Sequence, residues 1–101
     1  MIVFNITTHV AHSIAQEWEG WMKEELIPRV MVTGLFTEWK MFRLLEQDET
    51  EGITFIVQYF TSSLKNYYQY VEEFAPQMQQ LAIDKWQDKF LSFKTIMQVV
   101  N

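Results

Sequence analysis

Residues 51–61 read EGITFIVQYFT, and this stretch decides the fold. Side chains alternate across a strand with period two. Ile53, Phe55, Val57 and Tyr59 therefore share one face, and Thr54, Ile56, Gln58 and Phe60 share the other. The first face is apolar throughout, as a surface beneath helices must be. The second sets Ile56 and Phe60 beside Thr54 and Gln58, too apolar for open water and too polar for a dry core. Antiparallel sheets with one solvated face usually show a clean polar side. This strand predicts cover on both faces.

The neighbouring segments supply that cover. Upstream, Gln47 to Gly52 reads as an acidic hairpin loop, and Leu35 to Glu46 as a second long strand. Its two faces are Leu35/Thr37/Trp39/Met41/Arg43/Leu45 and Phe36/Glu38/Lys40/Phe42/Leu44, and the pattern leaves open which looks inward. Downstream, Ser62 or Ser63 caps a helix. Its apolar stripe runs Leu64, Tyr67, Val71, Phe74, Met78 and Leu81, broken into halves at Ala75-Pro76. Proline is tolerated at the start of the second half, where its missing N–H would be an orphan.

The ends of the chain repeat the pattern. Ile2 to Thr8 reads as a strand, with Ile2, Phe4 and Ile6 opposed to Val3, Asn5 and Thr7. Ser13-Ile14-Ala15-Gln16 fits a capping box before a helix carrying Ile14, Trp18, Trp21, Met22 and Leu26 at helical spacing. Pro28 ends or kinks that helix, Arg29 to Thr33 forms a short extra turn, and Gly34 supplies a left-handed stop. Asp88-Lys89 marks a turn into a last strand, Phe90 to Val100.

The order is β-α-β-β-α-β. Right-handed crossovers turn it into an α+β, ferredoxin-like sandwich, a four-stranded antiparallel sheet with both helices on one face. The strands beginning at Ile2 and Ile53 are expected at the centre. Their mixed faces then lie on the side the helices leave bare, where Val3, Ile56 and Phe60 form an apolar patch. Pairing with a second copy covers such a patch symmetrically, so the chain is expected to be a homodimer joined through its sheet faces.

Composition narrows the function classes. With 101 residues the chain reads as a single domain, residues 1–101. Hydrophobic residues reach 49% and aromatics 16%, which excludes disorder. A net charge of −5 repels phosphate backbones and anionic membranes, so neither nucleic acid nor a membrane is an expected partner. The chain lacks cysteine, hence disulfides, thiol nucleophiles and Cys-ligated metals, which fits a reducing cytoplasm. Met1 to Val10 has no basic leader region, and its apolar run is interrupted by Asn5, Thr7 and Thr8, unlike a signal peptide.

The run Trp18-x-x-Trp21-Met22, then Ile27-Pro28, Thr33-Gly34-x-Phe36, Gly52-Ile53-Thr54-Phe55 and Phe74-Ala75-Pro76 resembles a small bacterial family of uncharacterised domains. That family belongs to the dimeric α+β-barrel, ferredoxin-like superfamily, and the resemblance spans nearly the whole chain. It implies a homodimer whose two sheets face each other around a central cavity. It implies no established activity. Relatives often carry His just before the Ile-Pro pair. Here the position is Leu26, which removes a catalytic imidazole from the helix.

Chemistry-bearing motifs are sparse. His9-x-x-His12 straddles a strand end and a helix start, with no third ligand nearby, and reads as an exposed loop pair. Glu46, Asp48, Glu49 and Glu51 crowd one hairpin without the alternating ligand pattern of a calcium loop. No metal site or cofactor follows from either. With three glycines and no phosphate-cradle motif, a nucleotide site is unsupported. The Gly52-Ile53-Thr54-Phe55-Ile56 run echoes an RNA-recognition signature, but Glu51, Ile53 and Gln58 stand where a base and two stacking aromatics are needed. Some dimeric-barrel relatives perform cofactor-independent oxidation or haem breakdown; the latter needs an axial His on the second helix, and residues 64–86 contain none.

What remains is Asn5, Thr7, Gln58 and Phe60, with Trp39 and Lys94, as the expected lining of a cavity on the bare sheet face. Amides and aromatics in an enclosed apolar space suit a small apolar or aromatic ligand. The alternative is that the amides merely hydrogen-bond across a structural or protein-interaction dimer. The sequence leaves both open, and does not settle whether the protein is an enzyme.

Overall fold

In the computed structural model, which describes residues 1–101, four strands form one antiparallel sheet: β1 (Ile2–Ala11), β2 (Glu38–Arg43), β3 (Gly52–Thr61) and β4 (Phe90–Gln98). Their order is β2-β3-β1-β4, so β1 and β3 are the central neighbours, as the alternation predicts. They pair along their full length, with Ile2 opposite Thr61 and Ala11 opposite Gly52. β1 exceeds its predicted end at Thr8 because this pairing, and the bond from the Ala11 amide to the Lys89 carbonyl at 2.8 Å, carry it to Ala11.

β2 is shorter than the predicted Leu35 to Glu46. Leu35 and Phe36 are both buried, so the chain turns two consecutive side chains into the core before the strand begins. At the other end Glu46 adopts φ 58°, which breaks the extended backbone. β4 stops at Gln98, two residues early.

The first helical stretch is segmented. A 3₁₀ turn (His12–Ile14) leads into α1 (Ala15–Trp21), then a π turn (Met22–Leu26), then α2 (Ile27–Met31). The predicted capping box at Ser13 does not form: no side chain caps either N-terminus, and the 3₁₀ turn makes the entry instead. Pro28 does not end the helix. Its ring would collide with the Glu24 carbonyl in a regular α-helix, and the widened turn just before it removes that clash. Gly34, at φ 75°, makes the left-handed stop.

α3 (Leu64–Glu73) is capped by Ser63, whose Oγ accepts from the Asn66 amide at 3.4 Å. Phe74 is non-helical, and α4 (Ala75–Trp86) restarts with Pro76 in its first turn. All helices lie on one face of the sheet, giving a slab whose thinnest dimension is 19 Å.

Sixteen buried residues form the core between the layers. Phe4 is at its centre, with ring centroids of Phe36, Tyr59, Tyr67 and Tyr70 at 6.2, 6.2, 5.1 and 6.0 Å. Trp18 stacks on Phe55 at 5.2 Å. Each such ring, fully buried, contributes about 1.5–3 kcal/mol relative to exposure. The apolar face of residues 51–61 is thus where its pattern predicts, beneath the helices.

Candidate functional site

The helix-free face is built by register. Asn5 stands opposite Gln58 on β3 and Thr95 on β4, while Gln58 also faces Lys40 on β2. Four strands therefore bring one polar row across the middle of the sheet. Val3, Phe60, Glu38 and Met97 form the next row, and Thr7, Ile56, Phe42 and Phe93 the one on the other side. Apolar rows flank an amide seam. Leu91 and Phe93 on β4 are 59% and 61% exposed, so this face carries large side chains that no part of the chain covers.

The seam is internally bonded. Gln58 Nε2 donates to Asn5 Oδ1 at 3.2 Å, and Asn5 Nδ2 donates to Thr7 Oγ1 at 3.3 Å. Gln58 Oε1 has no partner in the chain, leaving one amide acceptor unused at the centre of the face. Lys40 Nζ lies 5.7 Å from the centroid of Phe60, a cation held over the rim of the patch.

Asn5, Thr7, Gln58 and Phe60 are thus brought together on this face. Trp39 and Lys94 are not, and the expectation that they join the cluster is corrected. Trp39 is opposite Tyr59, and Tyr59 is buried beneath the helices, so register puts Trp39 on the helix side. Lys94 is opposite Ile6, on the same side as Phe4 and Thr8, and is likewise turned away from the seam. The open question about β2 is also answered: Glu38, Lys40 and Phe42 belong to the bare face.

The histidines of His9-x-x-His12 diverge. His9 shares the bare face with Thr54, with Nδ1 and Thr54 Oγ1 at 3.2 Å. His12 lines a shallow depression on the helix side with Gln16, Glu19 and Arg43. No group of three or more His, Cys, Asp or Glu side chains stands close enough to hold a metal ion. Arg43, beside that depression, holds Glu49 in a two-bond clamp, Nη2 to Oε1 at 2.6 Å and Nε to Oε2 at 3.1 Å. The Arg43 bond keeps the Glu49 carboxyl below its ordinary range; backbone and side-chain bonds from Thr50 do the same for Asp48.

Periodicity did not reveal a second, more apolar concavity. A groove of about 650 Å³ runs between the helices and the β1–β4 side of the sheet. Its walls include Ile6, Trp18, Met22, Leu26, Tyr59 and Tyr70. The Tyr59 hydroxyl is buried out of reach of solvent and makes no hydrogen bond. Burial drives its pKa far above the ordinary phenol value, and that of Tyr70 up to about 12, so both hydroxyls stay protonated. Phe4 and Tyr59 read in sequence as plain core. The groove is lined from α4 by Met78, Gln79, Ala82 and Ile83 and from β4 by Phe90 to Lys94, residues brought together only by the tertiary fold.

Sheet order, crossover pattern and one-sided helices define the ferredoxin-like fold found in dimeric α+β-barrel proteins. Solved structures with this architecture include an EthD (ethyl tert-butyl ether D) family protein of Bacillus halodurans. It is 13% identical, with a TM-score of 0.70 over 99% of this chain and 100% of that one. A variant of SnoaB, a cofactor-independent oxygenase of Streptomyces nogalater, aligns at 12% identity and TM-score 0.64, covering 99% and 94%. A dimeric ferredoxin-like protein from an uncultured marine organism aligns at 13% and 0.59, covering 99% and 95%. No curated protein matches. At such identities the likeness is one of fold. The chain itself belongs to the DUF4286 family, a domain of unknown function, which it matches over residues 1–100.

Proposed function

We propose that this protein works as a homodimer, two copies joined through their helix-free sheet faces. The observation that carries the reading is the pair of rows flanking the Asn5–Gln58 seam, where Phe42, Phe93 and Met97 are exposed and no other element of the chain covers them. Four strands at about 4.8 Å spacing and about 9 residues long give a face roughly 19 Å by 30 Å. That is the order of size needed for a standard interface of about 800 Å² per partner. Fold likeness to a protein described as dimeric supports self-association.

A second reading has its own observation. The unused Gln58 Oε1 at the centre of the face is an acceptor for a donor from outside the chain, supplied by the partner copy or by a small apolar or aromatic ligand held between the sheets with Asn5, Thr7 and Phe60.

Sedimentation equilibrium tests the dimer. The wild type is expected to be dimeric at micromolar concentration. Ile56→Glu, which puts two like charges together near the two-fold, is expected to be a folded monomer because Ile56 lies outside the helix-covered core. A monomeric wild type overturns the proposal. A dimer that survives Ile56→Glu would place the contact elsewhere, such as a strand edge. If the ligand reading holds, metabolite screening by thermal shift gives stabilisation that Gln58→Leu abolishes.

A further inference from the structure

We propose that assembly through the bare sheet face is set by pH, with His9 as the sensor: the neutral imidazole permits the dimer and the imidazolium opposes it. The inference rests on the sheet-face dimer proposed above and concerns its regulation. Three observations carry it. The first is how few charges the face holds. Of the strand residues that register turns to this side, only Glu38, Lys40 and His9 ionise. Glu38 and Lys40 share the edge strand β2, are more than half exposed, and pair with each other at 4.0 Å. His9 stands on the central strand β1 and makes no ion pair.

The second is how the ring is held. His9 is opposite Thr54 on β3 and Leu91 on β4, and its Nδ1 lies 3.2 Å from Thr54 Oγ1. Its Nε2 would be 2.7 Å from a Cβ at Gly52, so the ring lies over the one position of β3 that has no side chain. The imidazole is thereby kept against the sheet surface that a second copy covers.

The third is what surrounds it. Its neighbours on this face are Thr7 and Ala11 on β1, Gly52 and Thr54 on β3, and Leu91 on β4, none of which ionises. Glu51 and Lys89, just beyond the ends of their strands, are of opposite sign, and His12 lines the depression on the helix side. A second copy brings only the same three ionisable groups, with its Glu38 paired to its own Lys40. Neither sheet face therefore offers a free carboxylate to compensate an imidazolium.

Histidine ordinarily changes charge between about pH 5 and 8. Covering a neutral imidazole bonded to Thr54 costs little, whereas covering the cation removes its hydration with no counter-charge in return. Protonation thus favours the uncovered face, and the dimer is present above the titration range and lost as pH falls through it. With one His9 in each copy, dissociation takes up as many as two protons, a dependence of up to about 100-fold in Kd per pH unit.

Sedimentation equilibrium of the full chain at about pH 7.5 and about pH 5.5, either side of the histidine range, tests this. The wild-type Kd is expected to rise about tenfold or more at the lower pH, with an unchanged far-UV circular dichroism spectrum. His9→Gln, which keeps a hydrogen-bonding group and cannot ionise, is expected to have one Kd at both. His9→Lys, charged throughout, is expected to weaken the dimer about tenfold or more at the higher pH. His12→Gln removes the only other histidine and is expected to leave the pH dependence intact. A wild type that is monomeric at both pH values refutes the sheet-face dimer itself, and this inference with it. A wild-type dimer of equal Kd at both refutes the inference alone. So does a His9→Lys dimer as tight as the wild type, or a pH dependence that survives His9→Gln, is lost in His12→Gln, or comes with unfolding.

Discussion

Gln58→Leu is the most informative single change on the sheet face. In the wild type, Gln58 Nε2 is the donor to Asn5 Oδ1 at 3.2 Å, and Asn5 sends its own Nδ2 to Thr7. Leucine removes the donor and leaves the Asn5 carbonyl oxygen bare. An unsatisfied buried acceptor costs about 1–3 kcal/mol, towards the low end while the seam is half-buried and the high end once a partner covers it. Leucine's added apolar surface offsets part of this, for a net loss of about 1–2 kcal/mol. With a urea slope of about 2 kcal/mol/M, the midpoint moves down by roughly 0.5–1 M. Asn5→Leu/Gln58→Leu removes both partners and is expected to recover most of the loss, a coupling that a double-mutant cycle isolates. All four proteins must be compared at one concentration, because the stability of a self-associating protein depends on it. A neutral or stabilising Gln58→Leu would refute the reasoning, since the amide would then serve something other than Asn5.

Three further outcomes follow from local geometry. A Cβ at Gly52 would be 2.5 Å from the Val10 carbonyl and 2.7 Å from His9 Nε2; the ring can swing away but the backbone cannot. Gly52→Ala is therefore expected to cost about 1–3 kcal/mol by calorimetry, with no rescue by His9→Ala. Gln87, at φ 58° and ψ −126°, occupies a conformation suited to glycine, in a turn closed by the Lys89 amide on the Trp86 carbonyl. Gln87→Gly is expected to stabilise by about 1 kcal/mol, raising Tm by about 4–8 °C. Glu49, its pKa lowered by Arg43, contributes stability above the ordinary carboxylate range that is lost as pH falls through its folded pKa. Arg43→Gln is expected to raise its NMR titration midpoint while leaving Asp48, held by Thr50, where it is.

What was legible in the sequence was what period-two and helical patterns encode. The two faces of residues 51–61, the central pairing of β1 with β3 and the clustering of Asn5, Thr7, Gln58 and Phe60 all follow from side-chain alternation and crossover handedness. Trp39 and Lys94 were misplaced because their strands are amphipathic in neither phase. For β2 in particular, burial of both Leu35 and Phe36 shifts the start of regular alternation to Glu38. The capping box failed for a related reason: Ser13 lies inside a 3₁₀ turn, where its side chain makes no cap. Boundary residues answer to tertiary packing, and local pattern does not carry that information.

The bare sheet face and the groove have one physical origin. The interrupted helices are asked to cover four strands, and they cover the central pair: Phe4, Phe55, Val57 and Tyr59 are buried while Ile96, on the helix side of β4, is 40% exposed. On the far side no helix is available, so Phe42, Phe93 and Met97 there stay exposed. On the near side, cover runs out towards β4, and the gap between α4 and the strand becomes the groove. The interruptions at Pro28 and at Phe74-Ala75-Pro76 belong to the same economy, since a bent helix cannot lie flush along a twisted sheet. A third long helix over β4 would close the groove, and polar residues in the rows flanking the seam would solvate the bare face; this chain has no such helix and sets Ile56, Phe42, Phe93 and Met97 in those rows. Both candidate sites are thus apolar surfaces that the fold leaves unfilled. They differ in form: the sheet face is broad and flat, whereas the groove is concave and walled mainly by apolar side chains.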